Sequence, residues 1–566
     1  MHAWLNKLDH HFPVRYSAWL LSAVGLLLSL FTWVAFGFGG LLALVFLFLV
    51  GLGWRDTRQT RHSVLRNYPL IGHIRFLLEF IRPEIRQYFI ESDNEAAPFS
   101  RQQRSLVYQR AKNESDKRPF GTQRDTHVPG YEWINHSMAP TTLATHDFRV
   151  TIGETRAQPY CASVFNISAM SFGALSANAI RALNGGAQRG GFAHDTGEGS
   201  ISQHHRVHGG DLIWEIGSGY FGCRNHDGSF NEDKFAENAR DPQVKMIELK
   251  LSQGAKPGHG GVLPGPKVTP EIAAARDVPE GVDCVSPSRH GAFDTPVQMM
   301  QFIDRLRTLS GGKPTGFKFC IGHPWEWFGI CKAMLQTGIL PDFIVVDGGE
   351  GGTGAAPLEF TDHVGAPLQE GLLLVHNTLV GLNLRSRIRI GCAGKVIGAF
   401  DIARSMALGA DWCNSARGFM FALGCIQAQT CHTGACPTGV TTQDPHRQQA
   451  LIVPDKTERV YNFHQNTLKA LKELVQAAGL QHPNQITAAY IVRRAADNSV
   501  RLLANQLAFI QPGELLPAVE GRGEWPHRVF AFYWPLARTD SFEPAAHEMS
   551  APSLLRSHPE PRVARA

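Results

Sequence analysis

The chain has 566 residues, of which 43% are hydrophobic and 19% charged, and its formal net charge is +5. This length suffices for one large domain with additional segments. Because the net charge is small and no basic stripe with interleaved aromatic residues runs through the body of the chain, nucleic acid is excluded as an expected partner.

The N-terminal segment Ser17–Trp54 contains no charged side chain and is rich in Leu, Val and Phe. It is longer than the roughly 20 apolar residues that one upright membrane-spanning helix needs. The glycine-containing stretch 35–40 divides it into two halves, so we predict a transmembrane helical hairpin over residues 1–54. One long tilted helix with an interfacial segment is the alternative. A cleaved signal peptide would have a shorter apolar region, of about 7–15 residues.

Positive charge flanks this apolar segment on both sides and is absent from its centre. The flanking residues are Lys7, Arg15, Arg55, Arg58, Arg61, Arg66 and Arg75. Since Lys and Arg favour the cytoplasmic side, we expect an inner-membrane protein whose large C-terminal part faces the cytoplasm. Residues 55–150 then form a juxtamembrane linker and pre-barrel segment. Its amphipathic stretch Ile74–Ile90 either rests on anionic membrane lipid or is a solvated face.

Short apolar runs alternate with helical patterns between about residues 160 and 416. The runs are Ser163–Ser168, Phe192–Thr196, Val244–Leu251, Val282–Ser286, Gly316–Cys320, Phe343–Asp347, Ile388–Gly391 and Asp411–Ser415. The helical patterns include 177–189, 296–309, 325–336 and 399–408. Regular strand–helix alternation predicts an α/β fold with a closed (β/α)8 barrel, the TIM-barrel architecture, over residues 151–450. A doubly wound open sheet is the alternative, because it gives the same alternation.

Glycine-rich segments follow most of these runs, and several contain Lys or Arg. They include 170–174, 197–199, 253–258, 347–354, 391–394 and 414–418. Glycine lets backbone N–H groups approach a ligand, and the active sites of such barrels lie at the C-terminal strand ends. The pattern therefore predicts an anionic ligand at this end of the barrel.

The C-terminal region, residues 451–566, contains two further helical patterns, Glu458–Ala478 and Ile486–Leu507. In the first, apolar residues recur at helical spacing, at Val460, Phe463, Leu468, Leu471 and Leu474. The Pro-rich tail after Glu543 is expected to be disordered.

Three of the ten cysteines lie in a short segment with the pattern Cys425-x5-Cys431-x4-Cys436-Pro437. Thiolates at this spacing can hold a soft metal centre, and three of them suit a [3Fe–4S] cluster or a [4Fe–4S] cluster with an external ligand. A structural zinc site usually has four ligands and a CxxC pair. That pair is absent, although His432 could serve as a fourth ligand. These residues alone leave an iron–sulfur cluster, zinc and no metal open.

Four stretches of the chain resemble the FMN-binding and iron–sulfur domain of glutamate synthase. They are Ile167–Ser176, Glu248–Gly258, Gly348–Ala356 and Gly424–Val440. The apolar N-terminus and Arg-rich linker are similar to a membrane-anchored bacterial subgroup of this family. The resemblance implies FMN and an iron–sulfur cluster of the [3Fe–4S] type on the cysteine triad.

The resemblance also implies which residues contact FMN. They are Met170, Ser171, Gln253, Lys318 and Gly349, with the phosphate near Gly394, Lys395, Ser415 and Arg417. A cation such as Lys318 beside the flavin N1 and C2=O would stabilise the anionic reduced flavin.

In the family, an imine derived from 2-oxoglutarate is held by residues that match Glu198, Lys256, Gly260 and Arg276. Lys256 and Arg276 suit a dicarboxylate, because each can engage a carboxylate oxygen. This chain departs from the pattern at Val262, where the family has Gln, and at His259, where it has an acid. An apolar contact could leave part of a buried oxo acid unpaired, at a cost of about 1–3 kcal/mol.

Together these features predict an FMN oxidoreductase of the glutamate synthase type, with a role in glutamate biosynthesis. It would move hydride between the flavin and an amino acid or the imino acid formed from a 2-oxo acid. Neither a cysteine-nucleophile amidotransferase domain nor a dinucleotide-binding domain is expected, so a separate electron donor or acceptor is implied. One rival is an FMN 2-hydroxy-acid oxidase, but no catalytic His–Arg pair is clearly placed late in the barrel. The other rival is a membrane-bound flavin and iron–sulfur electron-transfer protein without small-molecule turnover.

Overall fold

A computed structural model describes residues 14–94 and 97–545 of the chain. The chain divides into two compact units, residues 1–101 and 102–566. Lys7, which we counted among the flanking charges, lies outside the described residues, and so does most of the tail predicted to be disordered.

The first unit begins with two long helices, Ser17–Phe36 and Gly40–Arg58. The backbone turns between them at Gly37 and Gly39, whose φ angles of 73° and 105° lie in the left-handed region that favours glycine. Both helices are long and apolar enough to cross a bilayer. The predicted division of the apolar segment into two helices is therefore confirmed. Shorter helical elements of this unit are Val14–Tyr16, Ser63–Asn67, Ile71–Ile85 and Arg86–Ile90.

The second unit contains the predicted (β/α)8 barrel. Among the described residues, eight parallel strands close on one another, and each pairs with the next in chain order. Numbered in that order they are β1 Phe165–Ile167, β2 His194–Asp195, β3 Leu212–Ile216, β4 Val244–Lys250, β5 Thr315–Phe319, β6 Phe343–Asp347, β7 Arg389–Ala393 and β8 Trp412–Ser415. Pairing of β8 with β1 closes the barrel, so the open-sheet alternative is wrong.

The run Val282–Ser286, predicted as one of the eight barrel strands, contains a strand that is not part of the barrel. The strand Cys284–Ser286 lies outside the barrel and pairs antiparallel with Gly261–Leu263. Its central Val285 is 54% exposed, whereas every residue of β3 is buried. A barrel strand is covered on both faces, whereas the strand Cys284–Ser286 has one exposed face. The sequence analysis missed β3 because a Trp–Glu pair interrupts its apolar run.

Helices separate the barrel strands and cover the outside of the barrel. The four predicted helices are confirmed to within two residues, as Ala177–Gly190, Pro296–Leu309, Pro324–Thr337 and Ala399–Ala407. The other helical elements between or directly after barrel strands are Gln203–Arg206, Glu232–Ala239, Gly265–Lys267, Pro270–Arg276, Leu358–His363, Leu368–Gly381 and Arg417–Leu423.

The long helix Val453–Ala477 packs against Ala177–Gly190, as its predicted apolar face requires. At their contact a Cβ on Gly186 would lie 2.3 Å from Val460 Cγ1, so only glycine permits this approach. The predicted helix Ile486–Leu507 is wrong. That segment forms two strands and a short helix, because Ile491 and Val492 are β-branched and a turn at 495–498 separates the strands.

The remaining elements lie around the barrel. The strands Ile491–Arg494 and Val500–Leu502 form an antiparallel sheet with Glu132–Ile134, and Arg149–Ile152 pairs with Tyr160–Ser163. The remaining helical elements are Arg101–Ala111, Cys431–Thr433, Pro445–Gln448, Pro483–Gln485, Leu503–Gln506, Leu516–Val519 and Arg528–Tyr533.

The inside of the barrel is apolar near the amino ends of the strands. Trp214 stacks on Phe235 of the outer helix Glu232–Ala239, so its neighbours on β3 face inward. The inward residues pack with the 149–163 hairpin, which closes this end. This cluster comprises Val150, Ile152, Tyr160, Ala162, Ala193, Ile213, Met246, Phe343, Val345 and Trp412.

Two residues further along each of four strands, the inward side chains become charged. The pairs are Ala193 and Asp195, Ile213 and Glu215, Met246 and Glu248, and Val345 and Asp347. Carboxylate oxygens of Asp195, Glu215 and Glu248 lie within 4.8 Å of one another. Lys318 on β5 makes a hydrogen bond with Glu215, and its Nζ lies 3.3 Å from Glu248 Oε1. We call Asp195, Glu215, Glu248 and Lys318 the charged layer.

Burial controls protonation in the charged layer. It raises the pKa of Asp195 to about 7 and raises the pKa of Glu248 well above its ordinary value. Burial also lowers the pKa of Lys318, but the surrounding carboxylates outweigh that effect and hold it well above its ordinary value. Since one lysine cannot offset three buried carboxylates, we infer that the layer retains a proton near neutral pH.

Replacing Asp195 tests this inference through stability. Its pKa is raised on folding from 3.8 to about 7, so its favourable contribution is complete below about pH 4 and disappears as pH rises through 7. We expect Asp195→Asn to raise the free energy of unfolding at pH 8.5 by on the order of 1–3 kcal/mol. The gain should be clearly smaller at pH 5.5, as measured by thermal unfolding at both pH values.

Asp233→Asn, at an exposed site on helix Glu232–Ala239, is the control for the loss of one carboxylate. An equal change for Asp195→Asn at both pH values would show that Asp195 titrates as an ordinary carboxyl group.

Candidate active site

A polar cleft opens at the carboxyl ends of the barrel strands. It is formed mainly by the segments that follow β2, β3 and β4, together with the start of the loop after Cys284–Ser286. Its lining residues are Glu198, Ser218, Lys250, Leu251, Ser252, Gln253, Lys256, Gly258, His259, Gly260, Gly261, Ser286, Pro287 and Ser288. The structure thus brings together predicted residues that are distant in sequence.

Glu198 and Lys256, predicted as catalytic, face the same space. A Cβ on Gly261 would lie 3.6 Å from Glu198 Oε1 and 3.7 Å from Lys256 Nζ, so glycine keeps this space open. Lys250, at the end of β4, has its Nζ 3.1 Å from Glu198 Oε1. The carboxylate of Glu198 and the amino groups of Lys250 and Lys256 therefore converge in the cleft.

The charges in the cleft influence one another. Burial raises the pKa of Glu198, but the cations Lys250, Arg276 and Lys256 together lower it below its ordinary value. Burial lowers the pKa of Lys256, which Glu198 partly opposes and Lys250 reinforces. Glu198 is therefore a carboxylate at neutral pH, and the two lysines repel each other across it.

Arg276, also predicted as catalytic, lies beside the cleft but is not part of its lining. Its guanidinium is buried, donates to the carbonyl oxygen of Phe172 at 3.1 Å, and lies 5.1 Å from the Phe221 ring. Among the residues that the structure describes, none accepts a hydrogen bond from its Nε. A Cβ on Gly199 would lie 3.1 Å from Arg276 Nη2, so glycine leaves this side of the cation accessible.

The two departures from the family pattern occupy different positions. His259 lines the cleft, and its ring contacts Phe360 edge to face. Val262 is 60% exposed, pairs with Val285 across the outer ribbon and does not line the cleft. Only His259 therefore changes the chemistry of the cleft wall.

The residues predicted to contact the flavin ring lie at the carboxyl ends of β1, β4 and β5. Met170 is buried, and Ser171 Oγ accepts a hydrogen bond from the Gly199 amide at 3.1 Å. Gln253 Nε2 lies 3.5 Å from Thr353 Oγ1, whereas Lys318 belongs to the charged layer below.

The residues predicted near the phosphate lie at the carboxyl end of β8 and directly after β7 and β8. Arg417, at the start of the helix after β8, donates to the carbonyl oxygen of Thr353 at 2.6 Å. Ser415 Oγ donates to the carbonyl oxygen of Val396, also at 2.6 Å. The loops after β6 and β7 meet where the Gly348 amide donates to Ala393. Gly349, Gly394 and Lys395 belong to these same two loops.

The predicted metal ligands share one loop after the barrel. Gly424, with φ of 108°, ends the helix Arg417–Leu423, and the Tyr108 hydroxyl donates to the carbonyl oxygen of Cys425 at 2.6 Å. Burial raises the pKa of Cys425.

Cys436 has a different environment from Cys425. Burial raises its thiol pKa, but hydrogen bonds from Thr438 and Thr441 outweigh this and lower it to about 7. Its Sγ lies 3.5 Å from Thr438 Oγ1. A lowered pKa favours the thiolate, which is the form that binds metals.

The sequence analysis missed Lys250 and the three acids of the charged layer. Their signal was available, because Met246, Glu248 and Lys250 alternate along β4 and therefore face the same side. Charged residues at every second position of an apolar strand indicate a polar end of a barrel interior.

Comparisons with known proteins agree with this geometry. Residues 109–481 match the family model described as a conserved region in glutamate synthase. The chain is 38% identical over 503 residues to the "Glutamate synthase large subunit-like protein YerD" of Bacillus subtilis, covering 81% of this chain and 95% of that protein.

Two further relatives match over a shorter region. The "Archaeal glutamate synthase [NADPH]" of Methanocaldococcus jannaschii is 35% identical over 315 residues, which are 56% of this chain and 58% of that protein. The "Glutamate synthase [NADPH] large chain" of Bacillus subtilis is 33% identical over 326 residues, 56% of this chain but 20% of that protein. The match to the family model and to the first relative spans the barrel and the cysteine loop, and the chain therefore belongs to the glutamate synthase family.

Proposed function

We propose that this chain is an FMN-dependent oxidoreductase of the glutamate synthase type, acting at the carbon–nitrogen bond of an amino acid or the corresponding imino acid. The observation that carries the proposal is the convergence of Lys250, Lys256 and Glu198 in one cleft at the carboxyl end of the barrel. Two cations suit the carboxylates of an amino or oxo acid, and the carboxylate suits its nitrogen. The names of the relatives support this assignment.

The barrel rim fits FMN. A Cβ on Gly254 would lie 1.9 Å from the Gly348 carbonyl oxygen, so these loops approach each other in a way that only glycine permits. A Cβ on Gly352 would lie 3.0 Å from Arg417 Nε, which leaves the guanidinium open towards the rim. Arg417 and Lys395 would hold the phosphate, and Met170, Ser171 and Gln253 would contact the ring.

When bound, FMN supplies hydride transfer, so the protein has to bind and orient the substrate. Lys256 and Lys250 bind the substrate carboxylates, and Arg276 adds positive charge from behind Gly199. Glu198, held as a carboxylate, accepts a hydrogen bond from the substrate nitrogen. Lys318 would contribute positive charge near the flavin only as part of the charged layer, where Glu215 and Glu248 lie beside it.

The cysteine triad supports an iron–sulfur cluster held by Cys425, Cys431 and Cys436. The three cysteines lie in one loop, and three thiolates suit a [3Fe–4S] cluster. When bound, the cluster supplies one-electron transfer, which makes a separate electron donor or acceptor the natural partner.

The N-terminal hairpin is the basis for proposing that the chain is attached to the inner membrane. Its two helices have the length and composition of membrane spans, and Arg15, Arg55 and Arg58 lie at its open end. The positive charges favour a cytoplasmic location for both ends and thus for the barrel.

Lys256→Gln tests the substrate assignment. We expect kcat/KM for the oxo acid to fall about 10- to 100-fold, because a charge-assisted hydrogen bond contributes about 1.5–3 kcal/mol. Most of the loss should appear in KM, since the carboxylate is bound in the ground state as well as in the transition state. Steady-state kinetics with 2-oxoglutarate, ammonia and a reduced dye measures both constants.

The matched control is Lys469→Gln, at an exposed position on helix Val453–Ala477. An unchanged KM in Lys256→Gln would remove Lys256 from the substrate site.

Cys431→Ser tests the metal assignment separately from the flavin. We expect iron bound per chain to fall at least several-fold while the FMN content is kept, because the cysteine loop and the predicted phosphate site use different residues. Iron analysis and the visible spectrum of the same sample give both numbers. Cys161→Ser, an exposed cysteine on the strand Tyr160–Ser163, is the control, and iron retained in Cys431→Ser would contradict the assignment.

A further inference from the structure

Aromatic side chains mark one level at the open end of the N-terminal hairpin. Trp19, near the start of the first helix, and Trp54, near the end of the second, have ring centroids 6.3 Å apart. Tyr16 lies 6.4 Å from Trp19, and the guanidinium of Arg58 lies 4.6 Å from the Trp54 ring. Trp and Tyr next to Arg are typical of the boundary between membrane and water. These aromatic residues therefore indicate where the hairpin would meet the membrane surface.

Asp56 attaches the next long helix, Ile71–Ile85, at this same level. Its carboxylate is buried two residues after Trp54 and lies 2.9 and 3.0 Å from His73 Nε2. It also accepts a hydrogen bond from the Leu70 amide at 3.1 Å. These contacts hold the start of the helix beside the end of the hairpin.

In the first two turns of this helix, Gly72, His73 and Phe76 pack against the rest of the first unit. A Cβ on Gly72 would lie 2.9 Å from Leu65 Cδ2, and Phe76 contacts His62 edge to face. These three residues lie on one side when each residue turns the helix by about 100°.

The opposite face is apolar and exposed. Its residues are between 37% and 58% exposed, namely Ile71, Ile74, Leu77, Leu78 and Ile85. Arg75 and Arg82 lie along one edge of this face, where Arg75 also donates to Glu79 at 2.9 Å, and Arg86 follows the helix. An apolar face of this width beside basic residues is typical of helices that lie in a membrane interface.

We propose that the exposed apolar face of Ile71–Ile85 lies in the lipid interface on the side where both ends of the hairpin emerge, with its arginines on anionic phospholipid headgroups. The inference rests on the proposed membrane attachment and extends it to a second lipid contact. Asp56 holds the start of this helix beside Trp54, so the apolar face lies close to the aromatic residues that indicate the membrane–water boundary. This position favours lipid over a soluble partner. The arginines favour anionic headgroups, which attract basic residues near the membrane surface.

An apolar carbene photolabel, dissolved in the membrane, tests this proposal on the full chain in nanodiscs. One set of nanodiscs contains phosphatidylcholine alone, and the other also contains phosphatidylglycerol. Mass spectrometry of the peptides then reports which segments meet lipid. We expect label on both hairpin helices and on 71–85, with the 71–85 label at least two-fold higher when phosphatidylglycerol is present.

Two double variants separate the apolar and the charged contributions. Leu77→Glu with Leu78→Glu should reduce labelling of 71–85 at least five-fold and leave hairpin labelling unchanged. Arg75→Gln with Arg82→Gln should keep the label in phosphatidylcholine and lose the increase with phosphatidylglycerol. The matched control, Val500→Glu with Phe532→Glu, changes two exposed apolar residues of the second unit and should alter neither signal.

A labelled hairpin with 71–85 unlabelled in both lipids would overturn the interface proposal and leave membrane attachment standing. Absence of label from the hairpin as well would refute the membrane attachment itself. Crosslinking of 71–85 to a second copy, in place of lipid labelling, would show that the apolar face is a dimer contact and would also overturn the proposal.

Discussion

The site depends on how charge is buried inside the barrel. Lys318 lies among Glu215, Glu248 and Asp195, away from water, and makes its closest contacts with the two glutamates. An isolated buried charge is strongly unfavourable, and removing one partner of a buried pair leaves the other uncompensated. The charged layer therefore holds together as a unit, and it forms the floor beneath the carboxyl ends of the strands, where ligands of such barrels bind.

The cleft above this floor carries the opposite balance of charge. Lys250 and Lys256 line it with a single carboxylate, Glu198, and Arg276 lies just behind. The mutual repulsion of the lysines is only partly relieved by Glu198. A bound dicarboxylate would relieve the rest, which gives an anionic amino or oxo acid a physical reason to bind here. The difference in charge between floor and cleft thus follows from inward positions of the same strands, with β4 contributing both Glu248 and Lys250.

The barrel could be predicted because seven of its strands are short apolar runs, such as Phe343–Asp347, with helical patterns between most of them. The strand Leu212–Ile216 could not be recognised from apolarity alone, because Glu215 is buried there by an ion pair that only the fold creates. The run Val282–Ser286 was wrongly assigned to the barrel because it is apolar. Its strand belongs to an outer ribbon, in which Val285 is 54% exposed.

The candidate site was predicted in part. Glu198 and Lys256 meet in one cleft because glycine loops and strand ends set their positions. Lys250 was not predicted because its partner Glu198 is distant in sequence. Spacing alone could not show that Val262 faces solvent while His259 faces the cleft.

The most direct test is an anaerobic visible and EPR spectrum of the full chain, purified in detergent and reconstituted with FMN, iron and sulfide. After reduction of the flavin, 2-oxoglutarate and ammonia are added, and glutamate is added to a separate oxidised sample. The account predicts oxidised-flavin bands that return with the first addition or bleach with the second. A protein that takes up neither FMN nor iron under these conditions would contradict its central claim.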